Sequence, residues 1–349
     1  MKLKEFLGLG TGEMVSCLKV CKYQKNTDRK QRKALMLENG KLLLEKLIVT
    51  CNGKSNPIRG FSIEELKTAT NNYAQKNIIS IGGGYTLFRG FLQNRQVSIM
   101  KFRVRGPSKH CLWLNNVVFT SQMRHKNILK LIGCCLETQL PILVFDDVKY
   151  GTSPFFEPLL LRHRIKIAME IANAVTYLHI GFSRPIVFRD INSSHILFDE
   201  DYVPKLFNFS LSEFIPEGET HVRGIVVGTS AHLAPEYLYT GDFNEKCDVY
   251  NYGVLLLELL TGKRLHDILA HFEFCSVHSV KDRLQEYIDN NRFNEIANCK
   301  FAGDGLCHGN EQHLQAFLEL AFTCLSDSEE DRPNMIDVAK QLRQMHQSS

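Results

Sequence analysis

The apolar positions change period along the chain, and the change divides it. Between Ile78 and Asp146 they fall in short runs: Ile78 to Ile81, Tyr85 to Leu92, Val97 to Phe102, Leu129 to Cys134 and Ile142 to Asp146. Gly82-Gly83-Gly84 turns the chain between the first two. Short apolar runs bounded by glycine and polar residues predict strands. One helix, around Leu112 to Arg124, sits among them. After Gly151 the spacing becomes helical. Ile165, Ala168, Ile171, Ala172, Val175 and Leu178 mark one apolar face, and Asp248 to Leu260 is apolar almost all round, as in a helix buried inside a lobe. Gly262 stops that helix, and Pro333 opens a last one that runs to about Met345. The predicted class is α+β, with a small β-rich lobe over about 61–148 and a larger helical lobe over about 149–349.

The chain ahead of the strands carries two further signals. Ser62-x-x-Glu65 is a capping box, with Phe61 and Leu66 at the staple positions, and it predicts a helix closed by Asn71-Asn72. Leu42, Leu43, Leu44, Leu47 and Ile48 form an apolar stripe that predicts an amphipathic helix over about 41–49, ended by Asn52-Gly53. Residues 1–36 are rich in Lys and Arg with little period and are expected to be a mobile extension. Residues 1–60 are thus set apart from a domain over 61–349.

Composition narrows the classes of function. Of 349 residues, 44% are hydrophobic and 23% charged, as in an ordinary globular protein. The net charge of +4 gives no reason to expect nucleic acid as a partner. The 11 cysteines lack metal-ligand spacing, so no metal site is expected and reduced thiols in the cytoplasm are the simplest reading. No run of 18 apolar residues exists, and Met1 to Glu5 lacks a signal-peptide core. Lys2 removes the acceptor for myristoylation. Cys17 and Cys21, among Lys19, Lys22 and Lys25, leave room for palmitoylation, though ordinary surface cysteines are the simpler reading.

Five words, in order, carry a family resemblance: Leu131-Ile-Gly-Cys-Cys-Leu-Glu137, Val187-Phe-Arg-Asp190, Gly228-Thr-Ser-Ala-His-Leu-Ala-Pro-Glu236, Asp248-Val-Tyr and Leu259-Leu-Thr-Gly262. Over roughly 60–345 the chain resembles a eukaryotic protein kinase, with wording nearest the plant wall-associated receptor-like kinases. The resemblance implies the two-lobed kinase fold and a cleft for Mg-ATP, where catalysis is positioning and charge neutralisation.

Set against the family pattern, the parts that handle phosphate are altered. The glycine-rich loop matches Ser80, Gly82, Tyr85 and Leu87, so only Gly82 survives of the three glycines; Gly82 to Gly84 also read simply as a flexible turn. Ser98-Ile99-Met100-Lys101 offers Lys101 as the strand lysine and nucleotide contact, and a one-residue change of register puts Met100 there instead. Asn116 stands where the helix glutamate belongs. The catalytic loop keeps Asp190, the family's base, but carries Asn192 for its lysine and His195 for its magnesium-binding asparagine. Asn208-Phe209-Ser210 replaces Asp-Phe-Gly. One preorganised electrostatic group contributes roughly a hundredfold to a thousandfold in rate, so losing four raises the barrier by about 5 kcal/mol or more even without additivity. The structural positions match: Glu236 with Arg332 as a buried ion pair, Asp248 as the brace of the catalytic loop, and Phe209 as its hydrophobic plug. The segment 149–158 is short and holds Pro154 and Pro158, leaving little room for a substrate-presenting helix.

This combination is similar to the ZED-related kinases of plants, a likeness that extends to Leu37-Glu38-Asn39-Gly40 and Cys51 to Arg59. The resemblance implies a pseudokinase adaptor that joins a nucleotide-binding leucine-rich-repeat immune receptor to receptor-like cytoplasmic kinases modified by pathogen effectors. It would be cytoplasmic and peripheral at the plasma membrane when in complex. No cofactor is expected, with ATP binding without magnesium left open. The alternatives are a weak atypical Ser/Thr kinase using Asp190 and Lys101, or a metal-independent ATP switch. Expected partner surfaces are Leu42, Leu43, Leu44, Leu47 and Ile48, unless they pack on the small lobe, and the activation segment through Phe214 and Ile225.

Overall fold

The computed structural model describes residues 11–51, 57–103, 109–152, 157, 159–269 and 310–348. The segment 153–156 with Pro158, and Asn52 to Asn56, lie outside the described residues, as do the side chains of Cys17 and Cys21.

The small lobe is a six-stranded sheet in the order β1-β5-β6-β4-β3-β2. Its strands are β1 (Arg59–Gly60), β2 (Ile78–Ile81), β3 (Tyr85–Leu92), β4 (Arg95–Phe102), β5 (Leu131–Cys135) and β6 (Ile142–Phe145). β1 runs parallel to β5, opposite Gly133 and Cys134. A side chain at Gly133 would collide with the Arg59 carbonyl, so the glycine is what admits this strand. Helix α1 (Thr11–Cys51) precedes the sheet, and α2 (Ile63–Ala69) starts at the Ser62–Glu65 capping box, which forms in both directions. Phe61 and Leu66 are buried beneath α2 on the outer sheet face, with Val97, Ile99 and Val144. Helix α3 (Lys109–Thr120) covers the inner face.

The α1 helix corrects the expectation of a mobile extension with a short helix. It spans 41 residues. Its segment 11–51 holds no proline and many Lys, Arg, Leu, Met and Gln, so propensity sustains a helix where no apolar period shows. Among the residues whose side chains are described, its later part packs on the small lobe. Leu43 is buried, Leu42 and Leu47 are partly so, and all three join the small-lobe core with α3 residues Trp113, Leu114 and Val117. Asn39 is buried and donates to the carbonyls of Leu136 and Thr138, each at 2.9 Å. Arg32 reaches Glu64 of α2 at 2.7 Å, and Arg184 of the large lobe donates to the Thr50 carbonyl at 3.1 Å.

In the large lobe, α4 (Leu161–Ile180) and α6 (Glu245–Thr261) cross through one apolar core. The core also takes residues of α8 (Asn310–Cys324) and α9 (Met335–Ser348), which come after α5 (Pro235–Thr240) and α7 (Leu265–Leu269). Short strands frame the loops that face the small lobe: β7 (Ile186–Val187) pairs with β10 (Glu213–Phe214), β8 (Ile196–Phe198) with β9 (Pro204–Leu206), and β11 (Val222–Arg223) with β12 (Asp242–Phe243). Among the described residues no helix is long and apolar enough to cross a membrane, and no three His, Cys, Asp or Glu converge as a metal site.

Candidate functional site: the cleft between the lobes

Strand alternation decides which side chains enter the cleft. On β4, Ser98, Met100 and Phe102 face inward and are buried. Lys101 faces the other way and holds its ammonium 4.4 Å from the centre of the Tyr73 ring, on the outer face beside α2. The expectation that Lys101 contacts nucleotide is therefore corrected: Met100, registered between Leu87 and Leu143, fills the inward slot. The word Val97-Ser98-Ile99-Met100 is the signal for this register, since it sets Ser98 and Met100 on one face. The Ser98 hydroxyl accepts from the Val148 amide at 3.2 Å, so this backbone donor at the interlobe link is already used. Leu87, Leu197 and Phe207 close the same space as fully buried core.

Gly82 and Tyr85 complete the filling. Tyr85 is 3% exposed. Its ring lies directly beneath Gly82, where an added Cβ would overlap it. It meets Phe207 edge to face at 5.6 Å, and its hydroxyl reaches the Ser194 carbonyl at 3.4 Å. Burial, and then the charge of Asp190, push the Tyr85 phenol well above its ordinary range, so it stays protonated. Gly82 thus makes room for a side chain of the chain itself.

Three of the four altered positions, Asn116, Asn208 and His195, come together as one hydrogen-bonded relay, and Asn192 meets its end at Asp190. Asn116 accepts from the Phe209 amide at 2.9 Å and donates to the Leu112 carbonyl at 2.9 Å, and these two backbone partners fix which end of its amide is oxygen. Its nitrogen then donates to Asn208 Oδ1 at 3.3 Å. That leaves Asn208 Nδ2 to donate to His195 Nε2 at 2.9 Å. The imidazole therefore accepts at Nε2 and donates from Nδ1 to the Asp190 carbonyl, also at 2.9 Å. Asn192 donates to Asp190 Oδ1 at 2.9 Å and accepts from the Ser194 amide at 2.9 Å. Asn208 takes the left-handed conformation, φ 68°, which asparagine adopts more readily than most residues.

The donor set does not fit magnesium triphosphate. Magnesium needs near-octahedral oxygen ligands. Here the Asn208 oxygen is taken by Asn116, its nitrogen is held against His195, and the imidazole nitrogen already accepts. Asp190 is the only carboxylate lining the remaining cavity among the described residues.

The frame around this relay is complete. Asp248 is fully buried and accepts from the amides of Phe188 and Arg189, each at 2.8 Å, and from His179 at 2.9 Å. Phe209 is buried against Phe188 edge to face at 5.0 Å. Glu236 and Arg332 form a bidentate pair at 2.6 and 2.7 Å, with Arg332 also donating to the Ser326 carbonyl at 2.7 Å. Burial opposes ionisation of Glu236, but the Arg332 guanidinium more than offsets it and holds the carboxyl below its usual range.

Arg189 and Asn115 also contribute, from positions to which the sequence pattern gives no role. Arg189 donates to the carbonyls of Leu211 and Ile225 at 3.3 and 2.9 Å and lies 4.0 Å over Phe243, stitching both ends of the activation segment to the loop. Asn115 donates to the Ser210 and Ser212 carbonyls at 3.0 and 3.2 Å, tying α3 to the same segment. Their chemistry is backbone recognition, which leaves no pattern in side-chain spacing.

The expected partner residues divide. Leu42, Leu43 and Leu47 are used in the core, whereas Leu44 (59% exposed) and Ile48 (54%) point outward. Phe214 packs on Phe119 at 5.0 Å and carries the Arg184 guanidinium over its ring at 4.6 Å, so it is not an open surface. Ile225 is 84% exposed.

The protein kinase domain family matches residues 76–345. Over 333 residues the chain is 37% identical to the Arabidopsis thaliana protein named non-functional pseudokinase ZED1, covering 91% of this chain and 98% of that one. This chain belongs to the ZED-related kinases. Another member of the group from the same plant, named serine/threonine-protein kinase ZRK1, is 33% identical, with 92% and 95% coverage. Wall-associated receptor kinase 2, also from A. thaliana, is 35% identical, but the chain spans 45% of its length. The names within the ZED-related kinases thus include both kinase and pseudokinase.

Proposed function

We propose that this ZED-related kinase is a pseudokinase, a binding protein and not a phosphoryl-transfer enzyme. The Asn116–Asn208–His195 relay carries the reading, because it spends the groups that would hold metal. Met100 and Tyr85 support it by filling the nucleotide space. The relative named non-functional pseudokinase ZED1 agrees with it. The filled cleft also counts against a metal-independent ATP switch.

The finer reading is an adaptor that holds effector-modified receptor-like cytoplasmic kinases for a nucleotide-binding leucine-rich-repeat immune receptor. The family resemblance suggests these partners. The braced activation segment, with Ile225 exposed, and the outer side of α1, with Leu44 and Ile48, offer surfaces for them. Incubating purified protein with labelled ATP and either Mg or Mn tests the first step: no incorporation is expected, and incorporation lost on Asp190→Ala overturns the reading. Co-purification from plant tissue tests the second. A receptor and a kinase are expected together, and recovery of neither contradicts the adaptor.

A further inference from the structure

What remains of the cleft is a cavity of about 330 Å³. Its walls include Tyr85, Phe102, Leu112, Leu211 and Val227, and Asp190 lies among them. Asp190 is 8% exposed. Its Oδ1 accepts from Asn192 and from the Thr229 amide at 3.0 Å, but among the described residues no hydrogen bond reaches Oδ2. His195 Nδ1 lies 3.5 Å from Oδ2 and donates instead to the Asp190 carbonyl. Among the described residues lining the cavity there is no Lys or Arg. Asn192, where the family carries lysine, supplies a hydrogen bond and no charge.

A buried carboxylate without a cation is costly, and a cation that reaches it is favoured. With one carboxylate at hand, a hard metal ion lacks its ligand set. An ammonium needs only acceptors, and an apolar wall suits an alkyl stem. Val227, Gly228 and Thr229 bring the activation segment into the cavity wall. We propose that this cavity is an alkylammonium site, in which Asp190 Oδ2 receives the ammonium of a lysine side chain presented by a bound protein or of a free polyamine. The proposal rests on the pseudokinase reading in that Mg-ATP must not occupy the cleft.

Saturation-transfer NMR on the full chain tests it, with n-butylammonium as the probe and n-butanol as its neutral match. Saturable binding of the amine but not the alcohol is expected. Asp190→Asn and Asn192→Lys, the second restoring a cation within the chain, should each weaken the amine by about tenfold or more. Equal binding of amine and alcohol, no saturable binding, or unchanged amine binding in both variants overturns the proposal. If one variant does not fold, the other and the wild-type comparison still decide. A lysine pentapeptide with blocked ends that binds more tightly than spermidine assigns the ammonium to a protein partner; the reverse ranking assigns it to a polyamine. Failure here leaves the pseudokinase reading standing, because phosphate transfer is measured separately.

Discussion

Asn208 Nδ2 donates to His195 Nε2 across 2.9 Å, and two residues that stand at metal-ligand positions of the kinase pattern thereby bind each other. The direction of this bond is dictated from α3, since Asn116 is oriented by the Phe209 amide and the Leu112 carbonyl. The relay holds α3 on the start of the activation segment without a lysine–glutamate pair or a nucleotide.

Asn208→Asp should not by itself restore phosphate transfer, because Met100, Asn116 and Asn192 are unchanged. It should instead make stability depend on pH. A carboxylate facing Nε2 favours a second proton on His195, so the new pair stabilises the fold only while the imidazole is charged. The added stability is then present in acid and lost as pH rises. Thermal midpoints of the variant minus wild type, measured from pH 5.5 to 8.5, should fall with pH; a flat difference contradicts the relay geometry.

Register on β4 is open to a paired test. Met100→Lys places an unpaired ammonium in the inner core beside Leu87 and Leu143 and should cost about 3 kcal/mol or more. Lys101→Met loses only the contact with Tyr73 and should cost about 1 kcal/mol or less. Urea unfolding of the two variants checks the order, and a reversed order puts Lys101 inside.

The kinase fold is legible in the sequence because its words mark positions where chemistry and backbone coincide. Asp248 must be acidic to take two loop amides, and Gly133 must lack a Cβ beside β1. The departures from the kinase pattern are legible for the same reason, as Asn116, His195 and Asn208 fall at counted positions. The joining of those residues into one relay is not, since amide direction depends on backbone partners far apart in the chain. Lys101 misleads because a lysine near the expected place outweighs a one-residue register, and registers differing by one residue reverse every face. The start of α1 is hidden because propensity without an apolar period looks like a solvated extension.

Glu236 and Arg332 make stability fall in acid. The Glu236 carboxyl is held below its ordinary range, so its contribution is present above about pH 4.3, the unfolded value, and is lost as pH falls through the depressed folded value. Glu236→Gln should cost about 3–5 kcal/mol at pH 7, leaving the Arg332 guanidinium buried without its charge partner. Denaturant midpoints of the variant and wild type should approach each other below pH 4, and a constant gap across pH contradicts the pair as its source.

Along α1 the inward and outward leucines should separate. Leu43→Ala should cost about 2–4 kcal/mol by opening a cavity under the helix, and amide exchange should accelerate along α1. Leu44→Ala and Ile48→Ala should change stability by about 0.5 kcal/mol or less. Urea unfolding and hydrogen exchange check this, and a large loss from Leu44→Ala would show that the outer side is packed.

Calorimetric titration of Mg-ATP into the purified full chain, repeated with excess chelator, tests the central claim most directly. A cleft filled by Met100 and Tyr85 and closed by the Asn208–His195 bond should give no saturable heat at millimolar nucleotide in either titration. Saturable binding that disappears with the chelator would show magnesium seated against the phosphates and would contradict the account.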